Sequence, residues 1–321
     1  MKLGSYILRR ILQMVPLILM VMIVNFGLIK LAPGDVALAM AGSEPAPEFV
    51  EAIRVKYGLD RPVSEQFLRY MSLAIRGDLG ISVRYQRPVL DLVKERVPTT
   101  LLLILPALLI GAFAGTVIGT WQVKHSGTRL DSFTTMLSAA SYSIPVFWIG
   151  VVLMWVFAVR LHWLPTSGMF NIPRGEGVTL VIGVVSHLIL PLVSLSAVWF
   201  GGYARLARSS VAEAMEEDYI TTARAVGYKD NVILRLFALR NAMLPIVTMF
   251  GLEFGLILTG AVLTETVFAW PGLGSLTYEA IMARDTPLVV GIYVVAAICV
   301  AAASLATDIL YAYLDPTIVY K

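Results

Sequence analysis

An all-α integral membrane protein of six helices, with a small water-exposed subdomain inserted between the first and second, is the fold class this sequence predicts. Three observations carry that prediction. The 321 residues are 58% hydrophobic with a mean hydropathy of +0.78, and only 15% are charged, against about 25% in an ordinary soluble domain. Six stretches, near 9–31, 98–122, 132–159, 179–205, 242–267 and 287–312, reach the ~20 apolar residues that a ~30 Å hydrocarbon core requires. Lys and Arg also fall unevenly between alternate loops, as in multi-span proteins. Backbone groups in lipid must be satisfied within the segment, so helices follow. No stretch shows the ten-residue alternation of a membrane barrel.

The first apolar run, Ile11 to Ile29 after MKLGSYILRR, exceeds the ~7–15 residues of a signal-peptide core. AxA-like sites follow at Ala37-Leu38-Ala39 and Ala39-Met40-Ala41. Because five more spans come later, residues 1–32 are expected to be an N-terminal segment with an uncleaved first helix. Residues 33–97 then form the inserted subdomain. It opens with a turn at Ala32-Pro33-Gly34-Asp35 and holds two short amphipathic helices, 47–57 ending at Gly58 and 63–77 ending at Gly77. Its nine acidic and nine basic residues balance. A solvated cap and a docking surface for an outside protein both fit.

Residues 98–312 are expected to form a five-helix core. In its first helix Gly111, Gly115 and Gly119 recur every four residues, a face that lets another backbone approach closely. Pro106, Pro145 and Pro191 each remove a helical hydrogen bond and predict kinks. The stretch SAASYSIPVFW, 138–148, puts Ser141 and Ser143 beside such a kink. It lines a polar path or forms a kinked packing seam. His187 is read as a packing residue, with a ligand or proton-relay role as the sharper alternative. Glu253, in GLEFGLILTG, sits mid-span, where a charge costs about 2.5–3.5 kcal/mol on the insertion scale. It must be protonated, paired across helices, or turned to a wet path. Glu265 and Asp308 lie near span ends, where water can reach them.

With the N-terminus inside, segments 1–10, 123–131, 206–241 and 313–321 carry twelve basic residues, Arg205 included, and the short outer loops carry three, Arg160, Arg174 and Arg284. Both termini and the loop 206–241 are therefore expected on the cytoplasmic side, with 313–321 as a cytoplasmic tail.

Several chemistries are missing. There is no GxxxxGK[ST] phosphate loop and no HExxH or Cys/His metal spacing. The single Cys299 excludes a disulfide framework, and no basic stripe points to nucleic acid. His187 and Ser194 would stand about 10 Å apart along one helix, too far for a nucleophile and its base. An ion-coupled carrier would use several buried carboxylates, and Glu253 alone is thin support for one.

The polar stretch EEDYITTARAVGYKDN, 216–231, lies between apolar runs. Residues 209–230 read as a helix capped by Ser209 or Ser210, with Val211, Met215, Tyr219, Thr222 and Val226 on one face and Gly227 at its end. Its acidic first half suits a groove in a partner protein better than a membrane surface.

At these residues the sequence resembles the permeases of binding-protein-dependent ABC transporters, and within them the oligopeptide, dipeptide and nickel branch. The likeness runs through Glu217-Asp218-Tyr219-Ile220-Thr221-Thr222-Ala223-Arg224-Ala225-Val226-Gly227 and Leu239-Arg240-Asn241-Ala242-Met243-Leu244-Pro245. Further matches are Ile7-Leu8-Arg9-Arg10, Ala32-Pro33-Gly34-Asp35, Tyr57-Gly58-Leu59-Asp60-Arg61-Pro62, Gly77-Asp78-Leu79-Gly80, Arg96-Val97-Pro98-Thr99-Thr100, Trp163-Leu164-Pro165, Glu265-Thr266-Val267-Phe268, Pro271-Gly272-Leu273-Gly274 and Asp315-Pro316. The wider superfamily carries an acidic residue early in the loop motif, where this chain reads Thr221-Thr222-Ala223.

The resemblance implies a type I ABC importer permease fold in a cell inner membrane. It implies a coupling helix that docks on a separate ATPase subunit through Glu217, Asp218, Tyr219, Thr222, Ala223, Arg224, Ala225 and Gly227. Glu253, Ser141 and Ser143 would border the translocation path. Asp78, Phe268, Pro271, Gly272 and Gly274 would face a substrate-binding protein. The implied partners are a homologous second permease in a heterodimer, two ATPase subunits that hold ATP and Mg, the binding protein and the bilayer. The chain itself would bind no cofactor. Implied cargo is a dipeptide or oligopeptide, with glutathione-like peptide or nickel as alternatives.

Overall fold

A computed structural model describes residues 3–31, 37–38, 45–257 and 261–314. Among these the chain is helical, and the sheet-like pairing is confined to a bridge between Ile81 and Pro88. The turn expected at Pro33-Gly34-Asp35, the Asp315-Pro316 landmark, the tail beyond Leu314 and the side chain of Asp308 lie outside the described residues.

The helices are α1 (Leu3–Leu31), α2 (Pro47–Tyr57), α3 (Val63–Ile75), α4 (Val89–Lys124), α5 (Arg129–Ser143), α6 (Val146–Leu153, continued by a π-helical turn Met154–Arg160), α7 (Gly177–Met215), α8 (Asp218–Ala225), α9 (Leu239–Leu256), α10 (Val262–Val267), α11 (Leu273–Met282) and α12 (Thr286–Leu314). A second π-helical stretch, Ile233–Ala238, leads into α9. Among the described residues, five helical stretches are long and apolar enough to cross a membrane, or six if the pair α5 and α6, bent by 103°, counts as one span.

The bend falls at Pro145, one of the prolines expected to kink a span, and it breaks the expected stretch 132–159 into two helices. Pro145 has no N–H and forces the residue before it out of the helical region; Ile144 accordingly sits at φ −79°, ψ 131°. Pro106 and Pro191 lie inside continuous helices. Within the span expected at 242–267, α9 runs to Leu256 and α10 starts at Val262, and residues 258–260 lie outside the described residues.

The chain forms two compact units, one of residues 1–100, 258–262 and 271–321, the other of 101–257 and 263–270. This cuts the sequence differently from the linear division into first helix, inserted subdomain and core. In the first unit α1 packs along α12, and α3 packs on α1 through Phe26, Phe67 and Tyr70. Burial pushes the Tyr70 phenol up to about 12. Val89, Leu92 and Val93 at the start of α4 join Leu273, Leu276, Ala280, Leu288 and Ile292 in that unit's core.

In the second unit α4 and α7 meet along the glycine face. A Cβ at Gly111 would stand 2.7 Å from Trp199 Cβ, and one at Gly115 would stand 2.6 Å from the Phe200 carbonyl. A Cβ at Gly119 would strike the Ala204 carbonyl. The glycines therefore serve close backbone packing, as small residues do between membrane helices.

Candidate functional site

The loop 206–241 is built on an extended α7. Ala204, Ala207, Val211 and Ala214 are buried at helical spacing, so the apolar stripe carries the helix past Ser209 and Ser210 to Met215. This corrects the expected cap: Ser209 lies within the helix and its hydroxyl donates to Leu206 O at 3.0 Å. The helix breaks at Glu216-Glu217, and α8 starts at Asp218. The break also divides the expected face. Val211 turns inward, whereas Thr222 and Val226 turn outward, and Ile220 and Ala223 take the inward positions on α8.

Those inward side chains close a cluster of Val211, Ala214, Ile220, Ala223, Ile233, Ala238 and Ala242, with Met215 and Tyr219 packed at its edge. The opposite side of α8 shows Glu217, Asp218, Thr222, Arg224 and Ala225, and Val226 beyond it is 71% exposed. Of the eight residues expected to dock, six are thus surface groups, while Ala223 is buried and Tyr219 is half-buried. Gly227 takes φ +97°, a left-handed conformation that suits glycine. The Gly227 and Tyr228 N–H groups bond to Arg224 O and Ala223 O at 3.0 and 3.2 Å, the paired bonds of a Schellman cap. Arg224 lies 3.6 Å from Asp230 in an exposed pair, a contact of little energetic weight.

Deeper in the same unit, the Trp199 indole N–H of α7 donates to Glu253 Oε2 of α9 at 3.3 Å. Glu253 thus makes a bond between helices. An apolar groove of about 450 Å³ lies between α7 and α9, lined by Leu206, Leu244, Pro245, Thr248, Met249 and Leu252. Glu253 is outside this lining. Ser141 and Ser143 donate to Ser138 O and Ala139 O at 3.0 and 2.8 Å. Ser141 also packs against Gly201, and Ser143 is exposed beside the bend. His187 is buried with Nδ1 2.7 Å from Gly183 O, and Ser194 donates to Pro191 O at 2.8 Å. Each polar group is engaged on its own helix, in keeping with packing. Among the described residues no three His, Cys, Asp or Glu side chains gather to hold a metal ion.

The residues expected to face a binding protein divide sharply. Asp78 is a surface group whose Oδ1 accepts the Gly80 N–H at 3.0 Å. Phe268 is only 3% exposed, packed with Ala158 and Leu190. Gly272 and Gly274 are buried and Pro271 is half-buried. The backbone explains this burial: Thr99 donates to Pro271 O, and Leu273 N–H donates to Thr100 Oγ1 at 2.7 Å. Ala269, at φ +47°, is the exposed residue of that turn. Glu265 is fully buried, unlike the water-reached position expected for it.

Two buried aspartates escaped the sequence reading. Asp285 has zero exposure. It accepts the Ser82 hydroxyl, the Arg84 N–H at 3.0 Å and the Leu288 N–H at 3.2 Å. Nearby, Tyr85 donates to Glu279, and its phenol is raised by burial and then by that carboxylate. Asp131 pairs with Arg208. Both aspartates had a visible signal. Thr128-Arg129-Leu130-Asp131 is a capping pattern ahead of an apolar run, and Asp285 precedes Thr286-Pro287 at a helix start.

A model of the family described as "Binding-protein-dependent transport system inner membrane component" matches residues 95–320, and a model of its N-terminal region matches residues 3–104. The chain is 36% identical over 318 residues to the oligopeptide transport system permease protein AppB of Bacillus subtilis, covering 99% of this chain and 100% of that one. It is 38% identical over 317 residues to the probable peptide ABC transporter permease protein y4tP of Sinorhizobium fredii, with 99% and 100% covered. It is 35% identical over 321 residues to the glutathione transport system permease protein GsiC of Escherichia coli, with 99% of each covered. Among solved structures, an inward-facing form of the MetNI methionine ABC transporter matches with a TM-score of 0.55 at 17% identity, over 70% of this chain and 96% of that one. That likeness speaks to the fold, a type I permease core.

Proposed function

The chain belongs to the family of binding-protein-dependent transport system inner membrane components, and from that premise we propose that it is the membrane-spanning permease subunit of an ATP-driven importer of peptides. In this reading both termini and loop 206–241 lie in the cytoplasm, and residues 33–97 lie outside. A homologous second permease completes the path, two ATPase subunits hold ATP and Mg, and a substrate-binding protein delivers cargo. Dipeptides and oligopeptides are the proposed cargo. Glutathione, a small peptide and the named cargo of GsiC, is the nearest alternative, and nickel remains a more distant one. The ion-coupled carrier weighed from Glu253 loses its motive once the family is known.

The observation that carries this reading is α8. Its underside is sealed against α7 and α9 by Ile220 and Ala223, while Asp218, Thr222, Arg224, Ala225 and Val226 stand clear. A short helix anchored on one side and open on the other transmits a push without unfolding. Closure of the ATPase dimer would press α8, shift α7 and open the path outward; hydrolysis would reset it. Glu253 and its Trp199 partner border the path in this reading. Asp78 faces the binding protein, and the Phe268–Gly274 turn is assigned the same role through its exposed Ala269.

The test replaces side chains that the fold does not need. The chain is expressed with the second permease and ATPases encoded beside it, and captured by a tag. An Ala225→Arg, Val226→Glu double variant should insert normally yet lose the ATPases. Wild type purified without an ATPase, or a variant that retains one fully, would overturn the docking assignment.

A further inference from the structure

Asp131 stands in the first turn of α5, which runs antiparallel to α7. Its carboxylate is gripped by one guanidinium at two points: Arg208 Nη1 lies 3.0 Å from Oδ1 and Nη2 lies 3.0 Å from Oδ2. The Gly127 N–H donates to Oδ2 at 3.1 Å and the Thr135 hydroxyl to Oδ1 at 3.3 Å. Arg208 also donates to Thr135 Oγ1, and the Asp131 N–H donates to Thr128 Oγ1 at 3.2 Å. A carboxylate at a helix start is further favoured by the helix dipole. Asp131 is 5% exposed, so the site is built and buried on its acidic side.

Seven residues along each helix, about 10 Å away, the same two helices are tied again. A Cβ at Gly201 would strike the Ser138 carbonyl, and it would stand 2.6 Å from Ser141 Oγ. Toward the far end of α5, Arg205 lies over the Tyr142 ring at 4.0 Å. To that close packing the two-pronged charged pair adds a directional contact with a single geometry.

What lies at each end gives the pair its meaning. Three and six residues past Arg208, Val211 and Ala214 enter the cluster that also holds Ile220 and Ala223 of α8. From Asp131, α5 leads directly to the 103° bend at Ile144-Pro145. We infer that Arg208 and Asp131 are positioning residues that carry displacement of α8 and α7 into the bent helix pair during transport. This rests on the importer reading above.

The test uses the complete complex in proteoliposomes, with binding protein, ATP and a labelled mixture of di- to penta-alanine. Uptake and ATP hydrolysis are measured in the same vesicles. Asp131→Asn and Arg208→Gln should each assemble and hydrolyse ATP, yet move about three- to thirty-fold less peptide per ATP. The double variant should be no worse than the poorer single, because both remove one contact. Asp131→Glu, which keeps the charge, should recover part of the yield. Unchanged yield in both singles overturns the inference, as does a double whose losses multiply. Loss of assembly, hydrolysis and uptake together would show that the pair only holds the fold. Absence of ATP-driven uptake in wild type would instead sink the importer reading, and the inference with it.

Discussion

Asp285 and Asp131 are both buried carboxylates at helix starts, one in each compact unit, and a guanidinium separates the ways in which they are satisfied. Asp285 is surrounded by neutral donors, a hydroxyl and two backbone N–H groups, with zero exposure. Asp131 also accepts a backbone N–H and a hydroxyl, but its main partner is a guanidinium whose side chain is 32% exposed. The first arrangement pins a loop to a helix and has no escape to water. The second joins two helices through a group that water can reach. The charged pair should therefore be the easier of the two to lose, although it carries more charge.

The largest expected effect follows from Asp285→Ala, which strands three donors in a dry site. At about 1–3 kcal/mol for each stranded group, the loss should reach about 3 kcal/mol or more, read as a lowered Tm of the detergent-purified protein. Asp131→Ala comes next. Arg208, the exposed Gly127 N–H and the half-buried Thr135 hydroxyl can all turn to water, so about 1–2 kcal/mol is expected in the same melt. A lower Tm for Asp131→Ala than for Asp285→Ala would reverse the ranking of the two anchors. Gly227→Ala gives the smallest effect. Nothing lies within 4 Å of a Cβ there, so only the φ of +97° is penalised, at about 1 kcal/mol. That variant sets the scale for a purely local cost, against which both aspartates can be judged.

Much of the fold was legible because bilayer thickness imposes a length on apolar runs. The spans at α1, α4, α7 and α12 came through in this way, and the loop 206–241 stood out by contrast in polarity. The glycine face of α4 was legible because only close packing asks for glycine every fourth residue. Other features depended on what the sequence does not display. Pro145 breaks its span whereas Pro106 and Pro191 lie within continuous helices, a difference that the residue type alone does not display. The face of α8 was misassigned because one unbroken helical period was assumed across Glu216-Glu217. Phe268 matched a family landmark, but a motif match does not reveal which way a side chain points. Asp131 and Arg208 lie 77 residues apart, and only the fold brings them together.

The 103° elbow at Ile144-Pro145 has a consequence for the solvent around it. At 1.5 Å per residue each arm is roughly 22 Å long, short of a ~30 Å hydrocarbon layer. Two helix ends meet there, and helix ends carry carbonyl and N–H groups with no partner of their own. Acyl chains cannot hydrate such groups. The elbow must therefore turn toward protein or toward water, and burying it in acyl chain is the one arrangement its backbone excludes.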